Sequence, residues 1–393
     1  MKKEKTRINR REFLQTGAMT VMAVGAVPMA QPQKEAKGKK EQKPDTGKIL
    51  NYQPDMRYRR LGSTDIYFSV LSLGGINIEK SVAHRAVDLG VNLVHMSSGY
   101  NGGKAILELV DVLKTKRNKV YIAYKDSFFK GSLDDINPVL KALGIDCIDF
   151  IMFNRHKADR VNDPVIRERF EAWKKQGKVR YAGLTSHDDV KACVAAGIES
   201  GLYSVIHPAL AQPDLELMDR ELKKAAEKGI GIMAMKTMKG IDNPELQTAF
   251  VKKLLASPAI TTINKAFTTF DLFDRFHRAA RETLTAQEDF SLYRYAQQNR
   301  ANNCMMCGSC EHVCPQGIEI STLLRSKLYY HDQLGDRETA IEAYRELTST
   351  QWHDGNCLAC GKCESVCPNG IRIVQKLNAA TEWFRNLSRR DLA

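Results

Sequence analysis

Short apolar runs alternate with amphipathic stretches from residue 57 to about residue 282. The runs Val70–Leu73, Val91–Val94, Val120–Ala123, Ile148–Phe153, Val179–Leu184, Ser204–Ile206, Ile230–Ala234 and Thr261–Ile263 predict eight strands. Between them, VIRERFEAWKKQ (165–176) and LELMDRELKKAAEK (215–228) carry apolar residues at helical spacing. Eight strands, each followed by a helix, predict an α/β fold, a (β/α)8 TIM barrel. In such barrels chemistry gathers at the C-terminal strand ends, so His95, just past Val91–Val94, falls where function is built.

After residue 295 the pattern changes. IEISTLLRSKLYYHDQL and DRETAIEAYRELTS predict helices separated by Gly335 and Asp336. They lie between two copies of one cysteine pattern, CMMCGSCEHVCP and CLACGKCESVCP. Both read C-x2-C-x2-C-x3-C-P, the ferredoxin run for 4Fe–4S clusters, whose fourth cysteine serves the other cluster. The spacing therefore predicts one cluster on Cys304, Cys307, Cys310 and Cys367, and a second on Cys357, Cys360, Cys363 and Cys314. Zinc needs no third repeated cysteine, and disulfides leave a duplicated spacing unexplained. Cys147 and Cys193 fall outside the pattern and are expected to be small core residues. The C-terminal segment, 295–380, is thus expected to be a small α-helical two-cluster ferredoxin domain.

The net charge of +13 raises the question of nucleic acid, and its distribution answers it. Residues 1–60 hold 15 Lys/Arg against 6 Asp/Glu, while the other 333 hold 44 against 40. The basicity belongs to a leader and linker, so no nucleic-acid partner is expected. The leader, residues 1–30, has a basic start, Arg10-Arg11-Glu12-Phe13-Leu14 and a mostly apolar stretch from Thr16 to Ala30. It resembles a twin-arginine signal peptide, which predicts export to the periplasm in a folded state. Clusters are assembled inside the cell, which suits that route. The stretch is shorter than the roughly 20 residues of a membrane span, so membrane association is expected only if the signal stays uncleaved. Residues 31–56 read as a flexible linker, and 57–285 as the barrel.

RYRRLGSTDIYFSVLSLGG (57–75), AVDLGVNLVHMSSGY (86–100), VYIAYK (120–125) and GKVRYAGLTSHD (177–188) together resemble the aldo-keto reductase family. More closely, they resemble its branch with a C-terminal ferredoxin domain. The resemblance implies carbonyl reduction with NADPH by an Asp, a Tyr, a Lys and a His. Tyr100 and Lys125 stand at the matching Tyr and Lys positions. His95 occupies the Asp position, and Asn154 the His position, with His156 two residues on. A neighbouring cation should depress protonation of His95. At the positions the resemblance assigns to NADPH stand Thr185 and Ser186, His207, Ala211 and the glycine-free segment INKAFTT (263–269). So many changes make NADP(H) a doubtful cofactor. An exported enzyme would also lack a maintained nicotinamide pool.

The strand ends read His95, Lys125, Asn154, Thr185, His187, His207, Lys236 and Lys265. Alternation places His95 with Leu93, Lys125 with Ala123 and Asn154 with Met152 on inward faces. Six of these eight side chains are basic or can become so, which predicts a cationic pocket for an anionic or oxygen-rich small molecule. Three functions follow. The first is an exported iron–sulfur oxidoreductase acting on a small molecule in the barrel mouth, with a redox partner protein. The second is an NADPH carbonyl reductase with a variant tetrad. The third is an electron-transfer subunit whose barrel only docks a partner. A metal held by the mouth histidines is a further alternative that no tight His spacing supports.

Overall fold

The computed structural model describes residues 45–75, 78–97, 104–126, 134–212, 214–302, 304–333, 335, 337–345 and 357–386. The leader and most of the linker lie outside the described residues, as does Tyr100. An antiparallel hairpin comes first, β1 Tyr58–Arg60 and β2 Tyr67–Ser69. Eight strands follow: β3 Leu71–Gly74, β4 Leu93–Met96, β5 Tyr121–Lys125, β6 Ile148–Asn154, β7 Val179–Ser186, β8 Tyr203–Pro208, β9 Gly231–Ala234 and β10 Ile260–Lys265. They close in the order β10-β3-β4-β5-β6-β7-β8-β9, and every pairing is parallel. This is the expected (β/α)8 barrel.

The hairpin was not foreseen, and it plugs the barrel. Leu61, Ile66 and Phe68 share one buried cluster with the barrel-interior residues Leu93, Ala123, Phe150, Met152, Val205 and Met233. Phe68 meets Phe150 edge-on at 5.3 Å between ring centroids. On β4, β5, β6 and β8 the interior thus has apolar filling below (Leu93, Ala123, Met152, Val205) and polar residues above (His95, Lys125, Asn154, His207).

The outer helices form for local reasons. Pro164–Lys175 starts on Asp163, whose carboxylate accepts from Val165 N, and has Pro in its first turn. It buries Ile166, Phe170 and Trp173 at spacings of four and three. The helix expected over 215–228 is instead two pieces, Asp214–Leu217 and Asp219–Glu227. Buried Met218, at φ −101° and ψ −1°, interrupts it.

The described residues form one compact unit, within which the C-terminal region has its own core. Ile318, Ile320, Leu323, Ile371, Ile373, Leu377 and Phe384 pack with the cysteines. The helix expected over 318–334 begins as α (Ile320–Leu324) and continues as a nine-residue π segment, Arg325–Gln333. Such segments are rare and concentrate at functional sites.

Candidate functional site

Strand register decides which side chains meet. Asn154 pairs with Thr185, and Thr185 with His207, so one row of side chains crosses β6, β7 and β8 at one level. Gly74 pairs with His95. Asn154, Thr185, His207 and His95 share the inward parity of the apolar filling below. β4 and β8 are opposite each other in the eight-stranded ring, and their histidines meet across its axis. The His95 and His207 rings pack edge to face, centroids 4.6 Å apart and planes at 72°. Both are 1% exposed, as is Lys125. Burial, and then Lys125, lower the His95 pKa from 6.5 to about 3. The cation expected to matter therefore does, but desolvation is the larger cause. Burial, His95 and Lys125 likewise hold His207 well below the usual histidine range.

Above this floor, the rim is a chain of hydrogen bonds. Asn154 Nδ2 lies 3.1 Å from His156 Nε2, and His156 Nδ1 lies 2.8 Å from Asp188 Oδ2. Arg325, from the π segment, donates from Nη1 to the same Asp188 oxygen at 2.6 Å. Burial raises the Asp188 carboxyl; Arg325 and His156 more than reverse this, leaving it below its ordinary value. Arg325 is 2% exposed, so a C-terminal side chain is sealed into the barrel mouth. Lys236, at φ +54°, places its buried Nζ 5.1 Å over the ring of Tyr330, from the same π segment. Burial and then Arg325 push the Lys236 ammonium well below its usual pKa. Sequence reasoning missed Arg325, Tyr330 and the Asp188–His156 pair. The one available signal was GLTSHD, where Asp188 follows the fifth strand.

Two candidates do not join this group. Lys265 pairs with Leu73, whose side chain packs in the outer core, and its Nζ lies 5.9 Å over Phe276 of the helix Phe270–Ala279. The inward residue there is Asn264, which donates from Nδ2 to Ser72 Oγ and to Leu73 O, each at 3.2 Å. Ser186 has the opposite parity to Thr185, and its Oγ donates to Asp188 O at 2.8 Å. Ala211 lies against Cys304, Met305 and Met306. The barrel fold is compatible with NADP(H); of the positions that the resemblance assigns to it, Thr185 and His207 stand side by side, whereas Ser186, Ala211 and Lys265 lie apart from them. No step is derived through that cofactor.

The cysteines do converge. One cavity of about 350 Å³ is lined by Cys304, Cys307, Cys310 and Cys367, and another of about 340 Å³ by Cys314, Cys357, Cys360 and Cys363. The fourth thiol of each motif thus lines the other motif's cavity. Among the described residues no three or more His, Cys, Asp or Glu side chains close around a point as a single metal ion would need. The two four-thiol cavities, with otherwise apolar walls, instead have the donor set of iron–sulfur cubes. The two loops are local copies. Met306 and Ala359 have φ +56° and +49°, and Gly308 and Gly361 have φ +77° and +73°. Glu311 accepts from Ser321 N at 2.7 Å and Glu364 from Val374 N at 2.9 Å.

The first cysteine loop lies on the barrel. Lys239 Nζ donates to Cys304 O, and Val190 N to Met306 O at 3.0 Å. A Cβ on Gly308 would stand 2.7 Å from Asp189 Oδ1. Cys304, Met305 and Met306 share a crevice with Lys236, Lys239 and Asp214 of the barrel mouth. The second loop is more open, with Cys360 and Leu358 exposed.

This architecture is a (β/α)8 barrel carrying a ferredoxin-type dicluster domain on its mouth. Residues 78–270 match the aldo/keto reductase family. Residues 297–368 and, overlapping them, 272–319 match 4Fe-4S dicluster domains. The chain is similar to the uncharacterized oxidoreductase YqkF of Bacillus subtilis, 27% identical over 151 residues, or 33% of this chain and 49% of that protein. It is also similar to the glycolate oxidase iron-sulfur subunit of Escherichia coli, 28% identical over 92 residues, or 23% of this chain and 21% of that one. The chain thus spans half or less of the curated relatives it matches. Among solved structures, the aldo-keto reductase AKR11C1 from Bacillus halodurans (holo form) aligns with a TM-score of 0.49 and 18% identity, over 61% of this chain and 96% of that one. The chain's domain content is an aldo/keto reductase-type domain joined to 4Fe-4S dicluster domains, which hold two clusters.

Proposed function

We propose that this protein is an exported oxidoreductase that carries out redox chemistry on a small, anionic or oxygen-rich molecule in the barrel mouth. When bound, the two clusters supply one-electron transfer between that molecule and a redox partner protein. The observation that carries this reading is the packing of Cys304–Met306 against Lys236 and Lys239, which sets the first thiol cavity beside the mouth. The exposed Cys360 end is the side open to a partner. Within the mouth, His95 and Lys125 line the floor, Asn154 and His156 stand at the rim, and Arg325 with Tyr330 covers it against water. Tyr100, by its resemblance, is the proton-donating group. The twin-arginine leader supports a periplasmic site of action, where nicotinamide is not maintained.

The test is anaerobic. Protein with chemically reduced clusters is mixed with small oxidised organic acids and carbonyl compounds, and the return of cluster absorbance is followed. Reoxidation by one compound class, slowed in His95→Ala and Tyr100→Phe, is expected. Reoxidation by none of them, or at the wild-type rate in both variants, refutes the assignment. Hydride transfer from NADPH with micromolar affinity would favour the carbonyl reductase instead.

A further inference from the structure

The barrel floor holds hydrogen-bonding groups that the protein does not satisfy. Thr185 and His207 are register partners on neighbouring strands, about 4.8 Å apart, and both face inward. Among the described residues, Thr185 Oγ1, both ring nitrogens of His207, and His187 Nδ1 are buried without a hydrogen-bond partner. Such atoms are uncommon in folded proteins, and each costs roughly 1–3 kcal/mol. Three of the four sit on register-paired neighbours, with His187 two residues beyond Thr185, which marks a binding site rather than scattered imperfections.

The field over them is positive. Lys125 lowers the protonation of His95, His187 and His207 alike. Lys236, Arg325 and His156 act in the same sense on His187, with the Asp188 carboxylate next along the chain. A cation is thus disfavoured. Two donors side by side suit the two oxygens of a planar carboxylate.

We propose that Thr185 and His207 form the floor, and His187 the wall, of a site that binds a small carboxylate together with one proton from solvent, carried by His207 in the bound state. This rests on the reading of the mouth as an anion pocket and names its ligand class and its proton. A neutral imidazole offers one N–H, whereas an imidazolium offers two. Without ligand, burial, His95 and Lys125 keep His207 neutral; the negative charge of a carboxylate alongside opposes them.

The experiment is anaerobic calorimetry of the cluster-loaded protein with acetate, lactate and oxalate, in two buffers of different ionisation enthalpy at pH 6, 7 and 8. At least one should bind, taking up one proton and weakening about tenfold per pH unit as pH rises. His207→Asn should abolish proton uptake, and Thr185→Val should weaken binding about tenfold. If His207→Asn does not fold, Thr185→Val and His187→Asn carry the test. Binding without proton uptake, tighter binding of inorganic phosphate, indifference to all the variants, or no binding at millimolar concentration overturns the proposal. None of these touches cluster reoxidation, so the broader functional reading fails or stands separately.

Discussion

Arg325 Nη1 lies 2.6 Å from Asp188 Oδ2, joining the C-terminal region to the end of β7 through a pair almost sealed from solvent. Removing one partner of a buried ion pair leaves the other charge without compensation. Arg325→Met should therefore lower stability by about 3–5 kcal/mol. Arg325→Met with Asp188→Asn should recover part of that loss. Denaturant unfolding of the four proteins in the double-mutant cycle measures the coupling; strict additivity would show that the pair holds nothing together.

The histidine pair predicts an acid weakness. The folded His95 pKa of about 3 is below its ordinary 6.5, so the unfolded chain binds more protons at intermediate pH. Stability from this source is full above pH 6.5 and falls as pH drops through the window toward 3. Between pH 6.5 and 5 it amounts to about 2 kcal/mol. His95→Asn should unfold with a correspondingly shallower pH dependence in that interval. A variant with the wild-type slope would remove His95 as the cause.

Crossed ligation separates sequence neighbours. Cys367→Ser should lose the same cluster signal as Cys304→Ser, and Cys314→Ser the same as Cys357→Ser, because each pair lines one cavity. Electron paramagnetic resonance of the reduced variants, with iron content, reads this directly. Pairing of Cys304 with Cys314 in one signal would refute the crossing.

Two glycines at equivalent positions should respond unequally. Gly308→Ala meets both a φ of +77° and Asp189 Oδ1 at 2.7 Å, whereas Gly361→Ala has φ +73° with nothing within 4 Å. The second should cost only backbone strain, roughly 1–2 kcal/mol. The first should also loosen the Cys304 loop from the barrel, seen as faster oxygen-induced bleaching of that cluster. Equal bleaching rates would contradict the role given to Asp189.

Much of the barrel was legible because buried parallel strands read as apolar runs. All eight runs became barrel strands, their ends differing by a few residues. The β1–β2 hairpin escaped because YRR and YFS have no such run. Lys265 shows the other limit. The strand was found, but its pairing with Leu73 turns the lysine outward and Asn264 inward, and a shift of one residue exchanges the faces.

By itself, the order of residues determined the α/β barrel, the two four-thiol motifs and their crossing, because strand periodicity and cysteine spacing are encoded over a dozen neighbours. Only the tertiary structure decided that His95 meets His207 across the barrel axis, and that Arg325 reaches an aspartate 137 residues away. Those meetings depend on register, closure and the packing of one core on another. No short window of sequence carries them.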